Sequence, residues 1–525
     1  MALPPLLPGY LTSQRWFGGK ARHIRSVELI DAIPLGGTRF ESFVLIARVE
    51  YTTGSGETYV LPVVCAPEST PRTERNLPVL TVHCQERGEP LVLTDALTEE
   101  EFLLALLEAV EHKLVFQGME GEIRATSTGA LQVLRSPSAN ALRPRSIEAE
   151  QSNSSIVFGD RFILKLFRRI EEGINPDLEM GLFLTEKAHF PHIPPVAGWL
   201  EYRTRDDKPM TQGILQGFVP NQGDAWQYTL KTLSSFYREA ARPSEESRLY
   251  SPKDSNFLLL HQQKLPGVAQ RWMGPYLESV ELLGRRTAEL HLALASESAD
   301  PAFAPELHTG SFQRTLEGTL CELTARVFGL LRRRVKELPR ELRRKAEEVA
   351  GQEREILHRF RSALSGSIRA MRTRIHGDYH LGQVLYTGSD FVIIDFEGEP
   401  ARSISERRMK RSPLQDVAGM LRSFHYAAFA PLLAPLGGTT APKNGVSSLV
   451  SWAESWNADV ETRFLEKYFE TSSTACYVPP SRNELVTLLQ LHLLEKAVYE
   501  LGYELNNRPD WVEIPLAGVA KLLVL

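Results

Sequence analysis

The sequence predicts an α+β fold in two unlike parts, rich in strands at first and mostly helical later. Three observations carry this. Alternating apolar and polar runs such as FESFVLIARVEY and ETYVLPVV dominate residues 1–95. From about residue 270 to 370 apolar residues recur at helical spacing, and helical patterning returns after a polar loop and two short strands beyond 370. The chain has 525 residues, and at roughly 150 residues per domain that is more than one ordinary unit.

Composition narrows the class. The chain is 42% hydrophobic and 24% charged, close to globular averages, which disfavours disorder, collagen and coiled coil. Sixty basic and 65 acidic side chains leave a net charge of −5, too balanced to announce a nucleic-acid or membrane-surface partner. The four cysteines (Cys65, Cys84, Cys321, Cys476) lie far apart with no CxxC pair, against a disulfide scaffold or a cysteine zinc site. The opening MALPPLLPGYLTSQRWFGGK has no basic residue before its short, proline-broken apolar run and makes a poor signal peptide. No stretch approaches the ~20 apolar residues a bilayer span needs, and FLLALLEAV is about half that. The expectation is a cytoplasmic protein with no nucleic-acid and no membrane partner.

The elements follow in order. TGSG between the first two strands is a hairpin turn. EEEFLLALLEAVEHK (99–113) has acids in its first turn and reads as a helix. EIRATSTGALQVL reads as a further hairpin, and TPRTERN (70–76) and TTAPKNG (439–445) as exposed connections. In IEAEQSNSSIVFGDRFILKLFRR a small-polar loop precedes two strands joined at Gly159-Asp160. Asn175 and Pro176 supply a cap and a first-turn proline for a helix toward His189. GILQGFV (213–219) is a strand, and Gly223-Asp224 starts the next helix. RRRVKELPRELRRKAEE carries eight basic residues among four acids, which suits a solvated helix face better than a nucleic-acid patch. The boundaries expected are 1–95, 96–220 and 221–525.

The chemistry concentrates in IHGDYHLGQVLYTGSDFVIIDFEGEP (375–400). Asp378 sits in a His-Gly-Asp loop, Gln383 follows five positions on, and an apolar strand delivers Asp395 at its end. Phosphoryl transfer needs this layout: one carboxylate for the acceptor hydroxyl, and an amide oxygen plus a second carboxylate for magnesium. An Asp after Gly is ordinarily a turn residue, and the pairing with Gln383 and Asp395 is what lifts Asp378 above that reading.

His376-Gly377-Asp378 with a side-chain amide five positions later, then Asp395 closing an apolar strand, resembles the aminoglycoside-phosphotransferase branch of the protein-kinase-like fold. Gln383 where most members have Asn, IIDFEGEP, RWFGGKAR, SNSSIVFGDRFILKLFRR and QGFVPNQGDAW are similar to maltokinases in particular. The resemblance spans nearly the whole chain. It implies a bilobal kinase-like fold: a small β-rich lobe with an N-terminal cap subdomain (1–95, then 96–220) and a mostly helical large lobe (221–525). It also implies ATP and Mg2+ as cofactors, and phosphorylation of maltose at its anomeric hydroxyl to feed α-glucan or glycogen synthesis from trehalose. Trehalose synthase is an implied partner.

Under the resemblance Lys165, in ILKLF, reaches the nucleotide phosphates and is held by Glu179 on the following helix; otherwise it is a solvent-facing lysine. There is no GxGxxG loop. Ser152, Asn153, Ser154 and Ser155 stand in its place, where hydroxyls and backbone N–H groups in a tight turn can meet phosphate oxygens. Gln216 to Val219 is the expected adenine-binding strand. Glu397 joins Asp395 and Gln383 at magnesium or caps a turn. His376 orders the loop, and Asp416 braces it from a helix. The sugar pocket is expected from His380 and from EKAVYELGYELNNRPDW, where four-residue spacing puts Tyr499 and Tyr503 on one face beside Glu500 and Arg508. Core packing of those tyrosines is the competing reading. Functionally, a kinase for another sugar such as glucosamine, or a non-catalytic partner of trehalose synthase, stands against the maltose kinase.

Overall fold

The computed structural model describes residues 4–36, 38–68, 78–83, 90–135, 142–147, 153–242, 271–400, 402–433 and 443–524. The expected connection at 70–76, most of the one at 439–445, Cys84 and Ser152 lie outside them. The chain divides into two compact units: Met1–Pro220 with Arg402–Glu406, and Asn221–Ala401 with Arg407–Leu525.

The first unit holds two antiparallel sheets. In the first, β1 (Ile24–Leu35), β2 (Glu41–Tyr51), β3 (Glu57–Pro67), β4 (Pro78–His83) and β5 (Pro90–Asp95) run in the order β1-β2-β3-β5-β4. The TGSG turn sets Val49 opposite Glu57. The second sheet contains β6 (Val115–Gln117), β7 (Gly121–Ser127), β8 (Pro144–Ile147), β9 (Asn153–Phe158) and β10 (Phe162–Phe167). After β11 (Arg169–Ile170) come its last two strands, β12 (Val196–Thr204) and β13 (Pro209–Gly217), and the order is β6-β7-β12-β13-β10-β9-β8. β11 leaves β10 and pairs with β3, so one continuous segment belongs to both sheets.

The helix Glu100–His112 carries Glu100 and Glu101 at its positive N-terminal end and buries Phe102, Leu106 and Val110. These pack in one core with Ile46 and Val60 of the first sheet and Ile123, Leu164 and Ile214 of the second. Asp31, 3% exposed, spans the same interface by accepting the Met119 and Glu120 N–H groups and the Tyr202 hydroxyl. The expected hairpin at 122–134 is instead a strand followed by a short helix, Gly129–Leu134. Thr128 decides this: its hydroxyl accepts the Ala130 N–H as a cap and donates to Val196 O.

The second unit is helical. Its main helices are Ala225–Ala240, Pro275–Leu294, Gly310–Arg334, Arg340–Gly351, Glu353–Leu364, Leu414–Leu433, Lys443–Thr471, Arg482–Asn507 and Glu513–Val524. Two short antiparallel pairs interrupt them: β14 (Glu306–Leu307) with the distant β15 (Met371–Arg372), and the hairpin of β16 (Val384–Tyr386) with β17 (Phe391–Ile393). The basic run at 332–348 is a solvated surface laced with ion pairs, Arg332 to Glu353 and Arg344 to Glu348. Among the described residues no helix is long and apolar enough to cross a membrane.

Candidate active site

In the second unit the His-Gly-Asp loop is fixed from behind. Asp416, buried in the first turn of the helix Leu414–Leu433, accepts the N–H of His376 on Oδ2 at 2.7 Å and that of Gly377 on Oδ1 at 2.9 Å. His291 Nε2 reaches the same Oδ2 at 3.1 Å, and its Nδ1 meets the Tyr468 hydroxyl at 2.9 Å. Gly377 has φ +84, a conformation that costs glycine nothing. Gly419 lets the helix come close, since a Cβ there would lie 2.6 Å from Tyr379 O.

His376 orders the loop, as its residue type suggested. Its Nε2 lies 2.9 Å from Ile394 O, so that nitrogen carries the proton, and Nδ1 accepts the Asp378 N–H at 3.4 Å. The loop is thereby tied to the strand that delivers Asp395. The β16–β17 turn is anchored too, because Arg286 grips both oxygens of Asp390 at 2.9 and 2.8 Å. Gln383 closes the arrangement: its O accepts the Ile394 N–H, and its Nε2 donates to Asp395 Oδ2 at 2.8 Å. Asp395 itself has φ +67, a left-handed backbone that a non-glycine residue holds only under constraint and that is common at functional sites. Carboxylate oxygens of Asp395 and Glu397 lie within 4.8 Å of each other.

Asp378 is half-buried. Lys496 Nζ stands 3.5 Å from its Oδ1, and His380 Nε2 stands 4.0 Å from its Oδ2. Burial alone would raise the Asp378 carboxyl, but Lys496, then His380 and His376, outweigh it and hold it below the usual aspartate value. His380 moves down, chiefly through burial, which keeps it neutral near pH 7; its Nδ1 accepts the Gly382 N–H at 3.0 Å. Lys496 moves up: burial opposes its charge, while Asp378, Glu500 and Glu399 favour it. The result is an ionised acid against a charged lysine.

Lys496 escaped the sequence reading, although it stands three residues before Tyr499 on the same helical face. Tyr499 is half-buried with Lys496 Nζ 5.2 Å from its ring centre, whereas Tyr503, one turn on, is 45% exposed. Glu500 is a correction. It points into the protein, where Arg422 binds its Oε2 through Nε and Nη2 at 2.9 and 2.7 Å, because the buried face of this helix carries residues 497, 500, 501 and 504. Arg508 is likewise committed, forming a bidentate pair with Glu504 and lying over Trp511.

The first unit carries the second group of residues. Lys165 lies in β10 opposite Ser155 of β9 and Ile214 of β13. Asp177 stands against it, with Oδ2 2.9 Å from Nζ, an acid that the expectation of Glu179 did not include. Asn175 caps the helix Pro176–Leu182 by accepting the Asp177 N–H, which turns Asp177 into the protein at 1% exposure. Glu179, two residues on and about 200° around the helix, is half-buried. Ser154 and Ser155 stand in β9, not in a loop, because the turn at Gly159 (φ +58) sets Asn153 opposite Phe167. The Ser154 hydroxyl accepts Arg168 Nε at 2.9 Å. Gln216 lies near the end of β13, opposite Ile163 and Val196, and Val219 follows that strand.

The chain is similar to known proteins along most of its length. Residues 10–98 match the maltokinase N-terminal cap domain, and residues 251–440 match the phosphotransferase enzyme family. A glucosamine kinase of Streptacidiphilus jiangxiensis is 23% identical over 381 residues, 72% of this chain and 73% of that protein. A glucosamine kinase of Mycolicibacterium smegmatis is 24% identical over 409 residues, 76% of this chain and 84% of that one. The solved structure of a glucosamine kinase in complex with glucosamine, ADP and inorganic phosphate matches with a TM-score of 0.61 at 15% identity, over 99% of both chains. Another crystal form of a glucosamine kinase gives 0.62 at 16% identity over the full length of both. At such identities the structural likeness carries the fold. The chain joins a maltokinase-type cap to a phosphotransferase domain, and its fold is kinase-like.

Proposed function

We propose that this protein transfers the γ-phosphoryl group of ATP to a sugar, with maltose as acceptor at its anomeric hydroxyl and maltose 1-phosphate and ADP as products. The observation that carries the reading is Asp378, held ionised beside Lys496 in a loop that Asp416 fixes by two backbone hydrogen bonds. Asp378 orients the acceptor hydroxyl and takes its proton as the oxygen attacks the γ-phosphorus and the bond to the β–γ bridging oxygen breaks. Lys165, steadied by Asp177, is the candidate for holding the nucleotide phosphates.

Magnesium fits the second unit's donor set. Asp395, Glu397 and the Gln383 amide oxygen are all hard oxygen ligands, and the Gln383 amide turns its nitrogen, not its oxygen, to Asp395. Bound there, the ion would neutralise charge on the phosphates. Feeding of the product into α-glucan synthesis, and pairing with trehalose synthase, belong to the same proposal through the cap domain matched at residues 10–98.

A second reading, glucosamine as acceptor, is favoured by the names of the two relatives above. A sugar panel with ATP and Mg2+, read as ADP release and followed by NMR of the product, decides. Maltose giving the fastest release, with phosphate on the anomeric carbon, is the expected result. Faster turnover of glucosamine, or phosphate on another carbon, rejects the maltose assignment.

A further inference from the structure

The helix Arg482–Asn507 brings one cation to the candidate base. Lys496 Nζ is 3.5 Å from Asp378 Oδ1 and 5.2 Å from the centre of the Tyr499 ring, and its side chain keeps 27% of its surface in solvent. The charged and titratable groups around it come from three elements. Asp378, His376 and His380 lie on the loop; Asp395 and Glu399 lie at and beyond the end of β17; Tyr499 and Glu500 lie on the same helix. Glu500 is already satisfied by Arg422. Lys496 is thus an ammonium that stands directly against the carboxylate.

We infer that Lys496 is a specificity-determining residue: its ammonium admits a neutral sugar hydroxyl to Asp378 and disfavours an acceptor that carries its own ammonium nearby. The inference rests on the reading of Asp378 as the acceptor's base and deepens it by naming what selects the acceptor. A neutral hydroxyl donates to Asp378 and accepts from Lys496 at once. An aminosugar in its ammonium form must instead compete with Lys496 for the same carboxylate. It also places a second positive charge a few ångströms from the first, in a partly desolvated site where like charges repel far more than in water. Discrimination of this kind is worth roughly one to two orders of magnitude in kcat/KM.

The experiment measures kcat/KM for glucose, maltose, glucosamine and N-acetylglucosamine with Mg·ATP in the full chain, the Lys496→Met variant and the Lys496→Arg variant, after checking each fold by thermal melting. Lys496→Met should raise the ratio of glucosamine to glucose about tenfold or more. It should leave the ratio of N-acetylglucosamine to glucose unchanged, because the acetylated nitrogen carries no charge. Lys496→Arg should keep the parental ratio. In the parent, glucosamine turnover relative to glucose should rise as pH climbs through the sugar amine's pKa, and Lys496→Met should flatten that rise. An unchanged glucosamine ratio in Lys496→Met, or an equal loss for all sugars, overturns the inference while leaving the kinase reading intact. ADP release from no sugar in the parent overturns the kinase reading itself, and this inference with it.

Discussion

Asp416 accepts two successive backbone N–H groups, those of His376 and Gly377, and so sets the orientation of the peptide units that precede Asp378. A carboxylate on a helix is a firmer template than the loop's own contacts, because the helix Leu414–Leu433 is buried along most of its length. His291 and Tyr468 continue the chain of hydrogen bonds behind it.

Removing this template should cost both stability and rate. Asp416→Ala leaves the buried His376 N–H, the half-buried Gly377 N–H and the buried His291 without their acceptor, at about 1–3 kcal/mol for each fully buried group so stranded. Asp416→Asn keeps a single acceptor oxygen and should fall between the parent and the alanine variant. Urea unfolding and kcat measured together check this, and parental values for both in Asp416→Ala would mean that the loop holds itself.

The two acids of the loop and strand should fail differently. Asp378→Asn cannot take a proton, so turnover should drop ~10²–10⁴-fold while Mg·ATP binding persists. Asp395→Asn should weaken metal-dependent nucleotide binding as well, since a neutral amide is a poorer ligand for magnesium. Calorimetric titration of Mg·ATP into both variants separates the cases. Equal loss of affinity in the two would show that the roles are divided wrongly.

Much of this was legible in the sequence, and the misses have physical causes. The two-part α+β architecture followed from strand alternation, helical spacing and signals such as the Asn175 cap, and the kinase-like fold was implied by the resemblance of the motifs to aminoglycoside phosphotransferases. The His-Gly-Asp loop and Asp395 were found because one short stretch contains both. Asp177 was missed because the resemblance named only Glu179, and it is the Asn175 cap that fixes the helix start and sets Asp177 2.9 Å from Lys165 Nζ. Lys496 was missed because a sequence separation of 118 from Asp378 hides the contact. Glu500 was misplaced because four-residue spacing shows which residues share a face, but not whether that face meets solvent or Arg422.

The Lys165 pairing gives a direct comparison. Asp177→Asn should raise the KM for ATP more than Glu179→Gln does, because it removes the carboxylate seated 2.9 Å from Nζ. Lys165→Ala should lower kcat/KM for ATP with the fold retained. Steady-state kinetics over a range of ATP concentrations measure all three. A larger defect in Glu179→Gln would return the role to Glu179.

Glu500 should prove structural. Glu500→Ala strands the buried Arg422 guanidinium, a loss of about 3–5 kcal/mol for breaking a buried ion pair. The KM for sugar should stay near the parental value in whatever fraction remains folded. A raised sugar KM at unchanged stability would put Glu500 back in the pocket.

The last expectation concerns pH and lies on the helix Lys443–Thr471. Glu461, 5% exposed, accepts Asn457 Nδ2 on Oε1 at 2.9 Å, while among the described residues its Oε2 has no hydrogen-bond partner. Burial therefore pushes its carboxyl up to about 7, against the opposing pull of Lys521, Asn457 and Arg422. The sign follows from proton binding. Between the ordinary glutamate value of 4.5 and about 7 the folded chain holds a proton here that the unfolded chain has released. Stability should therefore fall as pH rises through that window and level off above it, by about 3 kcal/mol at most from this group. Glu461→Gln mimics the protonated acid, so it should be the more stable protein at pH 8, the difference shrinking toward pH 4.5. Urea midpoints for both proteins at intervals from pH 4.5 to 8 read this out. Parallel profiles would mean that Glu461 stays ionised in the fold and that the charge of Lys521 and Arg422 outweighs its burial.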